Sequence, residues 1–330
     1  MTRSERARAT LAALCAALVL NACGGDGGSD STKAPSPPVS STHVLFISDF
    51  THSAAAALPT LAPQSGTNLL DDIVATTPMG ASLAYDSARD ILYAGGGGAP
   101  STEPVRIDVY EHASTLSAKA PPSRSIIAPN LMTGHSIFID SVNDEIWFAG
   151  DVDHYSQAIE VFAHASTLSG PTTPGRTLTN VDVLQFTVDV RRSLLYVMGH
   201  SSQIAVYEHA ATLDGNALVA RSINALYVDA FAVDTTRDIL YLANAFQGGI
   251  IRLDGASTLS MVGPPQVAPI NIGAPTYQTL AIDPVHDRMY AAVRWDVFVV
   301  DNISTVQPGS SVTASDLVGL PGEVVWSITF

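Results

Sequence analysis

LAYDSARDILYAG (residues 83–95) decides the fold of this chain, because its pattern returns four more times. The later copies are IFIDSVNDEIWFAG (137–150), FTVDVRRSLLYVMG (186–199), FAVDTTRDILYLAN (231–244) and LAIDPVHDRMYAAV (280–293). Each copy is an apolar alternation, a turn opening with Asp, and a second alternation carrying Tyr or Trp. A period of two on both sides of a turn is a β-hairpin. The first Asp falls at 86, 140, 189, 234 and 283, giving spacings of 54, 49, 45 and 49. A second unit follows every hairpin: IDVYEHASTL (107–116), IEVFAHASTL (159–168), IAVYEHAATL (204–213), IIRLDGASTL (250–259) and VFVVDNISTV (297–306). Short RSI or RTL segments come next at 124–126, 176–178 and 221–223. Four strands in each repeat, without helical periodicity, predict the blade of a β-propeller.

The chain ends supply the remaining hairpin. HVLFISDF (43–50) matches a second strand that lacks a first, and EVVWSITF (323–330) matches a first strand that lacks a second. The expectation is therefore an all-β fold: a six-bladed β-propeller of four-stranded antiparallel blades, closed by pairing the N- and C-terminal strands. Closure of this kind removes the open edges that a linear array would expose. Recurrence at a fixed period argues against a β-sandwich.

Composition narrows the function. The 330 residues carry a net charge of −15, with 46% hydrophobic and 14% charged residues. Phosphate binding needs clustered Lys and Arg, and no basic run follows residue 8. Nucleic acid is excluded as a main partner.

The N-terminus carries Arg3, Arg6 and Arg8, then the apolar run ATLAALCAALVLNA ahead of Cys23. A basic start, a short apolar stretch and small residues form a secretory signal peptide, too short to span a membrane comfortably. Leu20-Asn21-Ala22-Cys23 resembles the bacterial lipoprotein lipobox. That resemblance implies cleavage before Cys23, diacylation of its thiol and acylation of the new amino group. The organisation expected is a signal peptide over 1–22, the lipidated Cys23 with a Gly/Ser/Pro-rich tether over 23–42, and the propeller over 43–330. Removal of Cys15 with the signal would leave one cysteine, so no disulfide could form within the mature chain. Gly24 stands where an inner-membrane retention signal would place Asp. The expected address is the bacterial cell envelope, lipid-anchored at the outer membrane and facing periplasm or surface.

The hairpin strings, ILYLAN (239–244) above all, resemble propellers with YVTN- or NHL-type repeats. Those families include binding platforms, assembly proteins and a few hydrolases, so the resemblance implies a scaffold and not a task.

The repeat frame separates structural residues from candidates. Asp86, Asp140, Asp189, Asp234 and Asp283 recur in every blade and are read as turn caps. His112, His164 and His209 share one position with Gly255 and Asn302. His, Gly and Asn all tolerate positive φ, so a tight turn explains the set better than a metal ring.

Five residues before each repeat Asp, the first strand begins near the central channel. That position reads Ala81, His135, Leu184, Asp229, Gln278 and, at the terminal hairpin, Trp326. The loops between second and third strands share this face and add Asp49, His52, Asp151, Asp153, His154, His200, Gln247, Arg294 and Trp295. The candidate binding set is His135, Asp229, Gln278, Trp326, Asp151, Asp153, His154, His200, Arg294 and Trp295. No G-x-S-x-G, H-E-x-x-H or phosphate-loop signature occurs, and the sequence names no catalytic residue and no metal-ligand set.

The favoured reading is a non-enzymatic module, anchored to the membrane by lipid, that binds a protein or small-molecule ligand on its loop face. No cofactor is expected for it. The alternative is a metal-dependent, lactonase-like hydrolase with a divalent ion in the channel, held by some of His135, His154, His200 and Asp229.

Overall fold

The computed structural model describes residues 44–49, 55–59, 82–96, 105–116, 120–153, 155–201, 203–224, 227–244, 248–261, 263, 265–273, 277–293, 296–319 and 325–330. All belong to one compact unit, Thr42–Phe330. The expected signal peptide and tether with Cys23, and also His154, Arg294 and Trp295, lie outside the described residues.

The unit opens with β1 (Val44–Asp49) and β2 (Ala55–Pro59). The first blade holds β3 (Ser82–Asp86), β4 (Ile91–Gly96), β5 (Val105–Glu111) and β6 (Arg124–Ala128). The second holds β7 (Thr133–Asp140), β8 (Glu145–Asp151), β9 (Gln157–Ala163) and β11 (Arg176–Thr179), with the two-residue β10 (Gly170–Pro171) between the last two. The third holds β12 (Gln185–Asp189), β13 (Leu194–Met198), β14 (Gln203–Glu208) and β16 (Arg221–Asn224), with β15 (Gly215–Asn216) before the last. The fourth is β17 (Val228–Asp234), β18 (Ile239–Asn244) and β19 (Gly249–Asp254). The fifth is β20 (Thr279–Asp283), β21 (Arg288–Val293), β22 (Asp296–Asp301) and β23 (Ser315–Gly319), and β24 (Val325–Thr329) ends the chain.

Six equal four-stranded blades are not what forms. Five blades each take their main strands in chain order, and their sheets hold three to five strands among the described residues, with β10 added to the first blade's sheet and β15 to the second's. The sixth sheet, in the order β2-β1-β24, has three strands and joins the two chain ends. Phe46 lies opposite Thr329 and Ile47 opposite Ile328 in that antiparallel pair.

Each blade buries its middle strand on both faces, so ILYAGG of β4 and ILYLAN of β18 are buried throughout. Neighbouring sheets meet through separate apolar clusters, such as Phe148 and Phe162 against Tyr93 and Val109, or Phe231 and Leu242 against Tyr196 and Val206. Strand alternation lets β1 close the ring. Phe46 packs with Leu83, Leu92 and Tyr110 of the first blade, while its neighbour Ile47 packs with Tyr290 and Val297 of the fifth.

Polar groups stitch blade to blade. Asp86 Oδ1 accepts the N–H groups of Ala88 and Arg89, and Oδ2 accepts from Arg89 Nη1 at 2.7 Å. That same Nη1 donates to the carbonyl of Ser141, in the next blade's turn, at 2.8 Å. Arg192 reaches Thr235 and Arg237 reaches Pro284 in the same way. The recurring aspartates are thus turn caps, and Asp86, Asp189 and Asp234 also orient inter-blade arginines, while Asp140 and Asp283 bond Asn143 and His286 instead. On the outer flank, Arg124 and Arg176 donate to carbonyls of the following blade's turn, Ser166 at 2.6 Å and Ala210 at 3.0 Å, and Arg221 does so at Ser257. These are the arginines of the RSI and RTL segments. His112, His164, His209, Gly255 and Asn302 all have φ between 55° and 72°, the left-handed turn that their residue types suggest.

The segment after four of these turns, those at His164, His209, Gly255 and Asn302, reaches back to the previous blade's outer edge. Gly170 pairs in parallel with Ile126, Gly215 with Leu178, Met261 with Ile223, and Ser311 with Asn271. An outer strand that would otherwise present unpaired groups is covered by its neighbour.

Candidate functional site

The channel mouth is built by a repeated irregularity. The register of β7 slips between Gly134 and Ser136, that of β17 between Val228 and Ala230, and that of β24 falls between Val325 and Ser327. The residues left over are His135, Asp229 and Trp326. In the third and fifth blades, the N–H groups of Leu184 and Gln278 point to the carbonyls of Met198 and Ala292, which already face Gln185 and Thr279. A bulge re-aims the extra residue and increases local twist, so the position five before the repeat Asp is free to vary in chemistry. The next residue is structural. Ser82 Oγ accepts the N–H of Ile137 at 3.2 Å, Ser327 Oγ that of Leu83 at 3.1 Å, and Gln185 Oε1 that of Phe231 at 3.1 Å.

The central channel encloses a cavity of about 740 Å³. His135, Asp229 and Gln278 line it together with Leu184, while deeper walls are apolar, with Phe138, Ile139, Val233 and Ile282 among them. Trp326 is placed at the mouth by its backbone alone.

A second cavity, of about 710 Å³, lies between the second and third blades. It gathers four of the sequence candidates, His135, Asp151, Asp153 and His200, with Thr133, Tyr155, Gln157, Asn180 and Asp182. Asp229 and Gln278 are not part of it.

Two carboxylate–imidazole pairs face this cavity. His135 Nε2 stands 2.8 Å from Asp151 Oδ1. Gln157 Nε2 donates to the same oxygen at 3.1 Å, and Thr133 Oγ1 donates to Oδ2. Burial pushes the Asp151 carboxyl up, but hydrogen bonds from His135, Thr133 and Gln157 outweigh it and hold the group below the usual carboxylate range. In the other pair, His200 Nδ1 is 2.6 Å from Asp182 Oδ1, and the His200 backbone N–H reaches both carboxylate oxygens at 3.1 and 3.0 Å. Asp182 is likewise held low, its partial burial outweighed by His200. Since an ionised carboxylate only accepts, each imidazole donates through the nitrogen named. Its second nitrogen is left as an acceptor when the ring is neutral.

Gln157 ties the two halves together. Its Nε2 holds Asp151, and its Oε1 accepts the N–H of Val183 at 2.7 Å, beside Asp182. Two glycines make room. A Cβ on Gly199 would lie 2.3 Å from Asp182 Oδ2, and one on Gly150 would lie 1.9 Å from the Thr133 carbonyl oxygen. At the rim, Asp153 Oδ1 accepts the Tyr155 N–H at 2.7 Å, and Tyr155 is 98% exposed.

Sequence reasoning overlooked Thr133, Tyr155, Gln157, Asn180 and Asp182. Asn180 and Asp182 sit between β11 and β12, in a loop on the same face as His200. The strand-polarity argument that places His200 on this face applies to that loop as well. Among the described residues, no three His, Cys, Asp or Glu side chains converge to hold a metal ion.

No protein-family profile and no curated protein sequence matches the chain. Solved structures do. A chain of a nidogen/laminin complex superposes with a TM-score of 0.58 at 15% identity, covering 87% of this chain and 97% of that one. The WD40 β-propeller domain of Doa1 superposes with a TM-score of 0.54 at 12% identity, covering 88% of this chain and 83% of that one. Identities so low speak for the fold alone, and the fold is a β-propeller.

Proposed function

We propose that this chain is a binding or scaffolding module that works through its loop face, with the cavity between the second and third blades as its receptor site. The observation that carries the reading is the convergence of two carboxylate–imidazole pairs on one open cavity of about 710 Å³. The recurring polar residues cap turns and join blades, whereas these four side chains depart from the repeat and line the cavity. A concave site with a few converging polar groups is the usual form of a ligand pocket. The nidogen/laminin neighbour comes from a protein–protein complex, which supports a protein ligand here.

The sheet joining the chain ends serves as a sixth blade in this reading. The lipobox-like stretch ending at Cys23 supports a signal peptide, lipid anchoring and an envelope location, and the hairpin strings support kinship with YVTN/NHL-type propellers. The lactonase-like alternative needs three or more ligands in the channel; of its four candidates the described residues bring His135 and Asp229 to the channel lining, beside Gln278, while His200 lines the other cavity.

Site-directed photo-cross-linking in the native envelope tests the reading. A cross-linker at Tyr155, on the loop face, should capture a defined partner, and one at Val285, on the Asp-turn face, should not. Capture at Val285 alone would reject it. Membrane fractionation of Cys23→Ala tests the anchor, whose loss should release the protein.

A further inference from the structure

We infer that the cavity between the second and third blades receives a cationic side chain, lysine or arginine, presented by a protein partner. This rests on the loop-face reading above and goes further by naming the chemistry that the site selects.

The hydrogen-bonding sense of the cavity points one way. Thr133, one N–H of Gln157 Nε2 and the carboxylate-facing nitrogens of His135 and His200 are directed at Asp151 and Asp182. Asp151 and Asp182, which line the cavity, keep acceptor capacity on their carboxylate oxygens. Such a lining rejects anions and favours a donor-rich group.

Charge acts in the same direction. Both carboxylates are held below their usual range, so they remain ionised near neutral pH. Apart from the exposed Arg191, the described arginines are committed to carboxylates outside the cavity, Arg106 to Asp108 among them. Arg89, Arg192 and Arg237 pair with turn aspartates, and Arg124, Arg176, Arg221, Arg252 and Arg288 pair with carboxylates along the outer flank. Among the described residues no Lys or Arg lines the cavity.

The rim adds an aromatic surface. Tyr155 is 98% exposed beside Asp153, and an exposed phenol ring is a face on which an ammonium or guanidinium can stack. Exposed Tyr at the edge of a concave site is also the residue type enriched in protein interfaces. A neutral saccharide could use the same acceptors, but it would leave the carboxylate charge unmatched.

Fluorescence anisotropy with the full chain decides the matter. The probes are a labelled Lys/Arg-containing peptide, the same peptide with every basic residue replaced by Gln, and a neutral oligosaccharide. The basic peptide should bind, with affinity falling as salt is raised. Asp182→Asn should weaken it about tenfold, and Tyr155→Ala should weaken it severalfold. Asp254→Asn, on the outer flank, should leave it unchanged. Tyr155 lies on the surface, so its variant reports on binding even if Asp182→Asn disturbs the loop. Equal weakening by Asp254→Asn would overturn the inference in favour of diffuse attraction. Binding of the Gln peptide or the saccharide with equal affinity, or no binding of the basic peptide, would overturn it as well. If the basic peptide fails while Tyr155 still cross-links a partner, the cationic chemistry falls and the loop-face reading stands.

Discussion

His200 and Asp182 form a clamp in which one carboxylate receives both the ring and the backbone of one histidine, with Nδ1 at 2.6 Å and the backbone N–H at 3.0 Å. The clamp closes because residue 199 has no side chain. A Cβ there would sit 2.3 Å from Oδ2 and 2.6 Å from the Asp182 carbonyl oxygen.

Gly199→Ala should therefore push Asp182 away from His200. With those hydrogen bonds lost, the Asp182 carboxyl should titrate upward toward the usual carboxylate range. Carbon-detected NMR of its side chain across acid pH would read the shift. An unchanged titration would show that the clamp survives the methyl group.

Gly150→Ala places a methyl group 1.9 Å from the Thr133 carbonyl oxygen. The start of β7 must move, which should cost about 1–3 kcal/mol as overpacking does and disturb the Thr133–Asp151 contact. Urea unfolding of the variant against the parent chain measures it, and no loss of stability would contradict the geometry.

Arg237 Nη1 bonds Asp234 Oδ2 at 2.9 Å and the Pro284 carbonyl oxygen at 3.0 Å. Asp234 is fully buried, so Arg237→Ala leaves its charge without a counterion. The expected loss is about 1–3 kcal/mol. Arg191→Ala, at an exposed position on the same face, should stay within about 0.5 kcal/mol. Equal effects in chemical denaturation would refute the latch.

Burial pushes the Glu160 carboxyl up, and the hydrogen bond from Asn130 at 2.9 Å offsets this only in part. Its folded value lies above its unfolded one. The stability it permits is full below the unfolded value and is lost as pH rises through the folded value. Glu160→Gln, which does not titrate, should thus gain on the parent as pH increases. Calorimetry at pH 4 and pH 8 should show the Tm difference moving in favour of Gln. A difference moving the other way would reverse the assignment.

Phe46 is fully buried against the first blade while its neighbour Ile47 faces the fifth. Phe46→Ala should cost about 3–5 kcal/mol, because one residue of the closing strand seals the ring against its neighbour. Denaturant titration would expose a smaller cost if closure depended on other contacts.

How much could be read in advance follows from how local each feature is. The hairpins were legible because alternation and the Asp turn lie within about fourteen neighbouring residues. The positive φ at His112, His164 and His209 was legible because Gly255 and Asn302 occupy the same place in other copies. Strand count per blade was less legible. Outer pairings such as Gly170 with Ile126 cross between blades, and nothing in the local pattern marks them.

The binding candidates divide along the same line. His135, Asp151, Asp153 and His200 stood out as departures from the repeat, and strand polarity alone put them on one face. Which of them meet was settled by bulges and loop paths that have no signature in the chain. The slip at His135 turns its ring toward Asp151, sixteen residues on, and Gln157 draws the loop carrying Asp182 against the second blade. Asp229 and Gln278 have the same rank in the repeat but open onto the channel instead. Repetition writes the backbone of each blade into the sequence, because the same local interactions recur. The cavity belongs to the gap between two unlike blades, and that gap exists only once the blades have packed side by side.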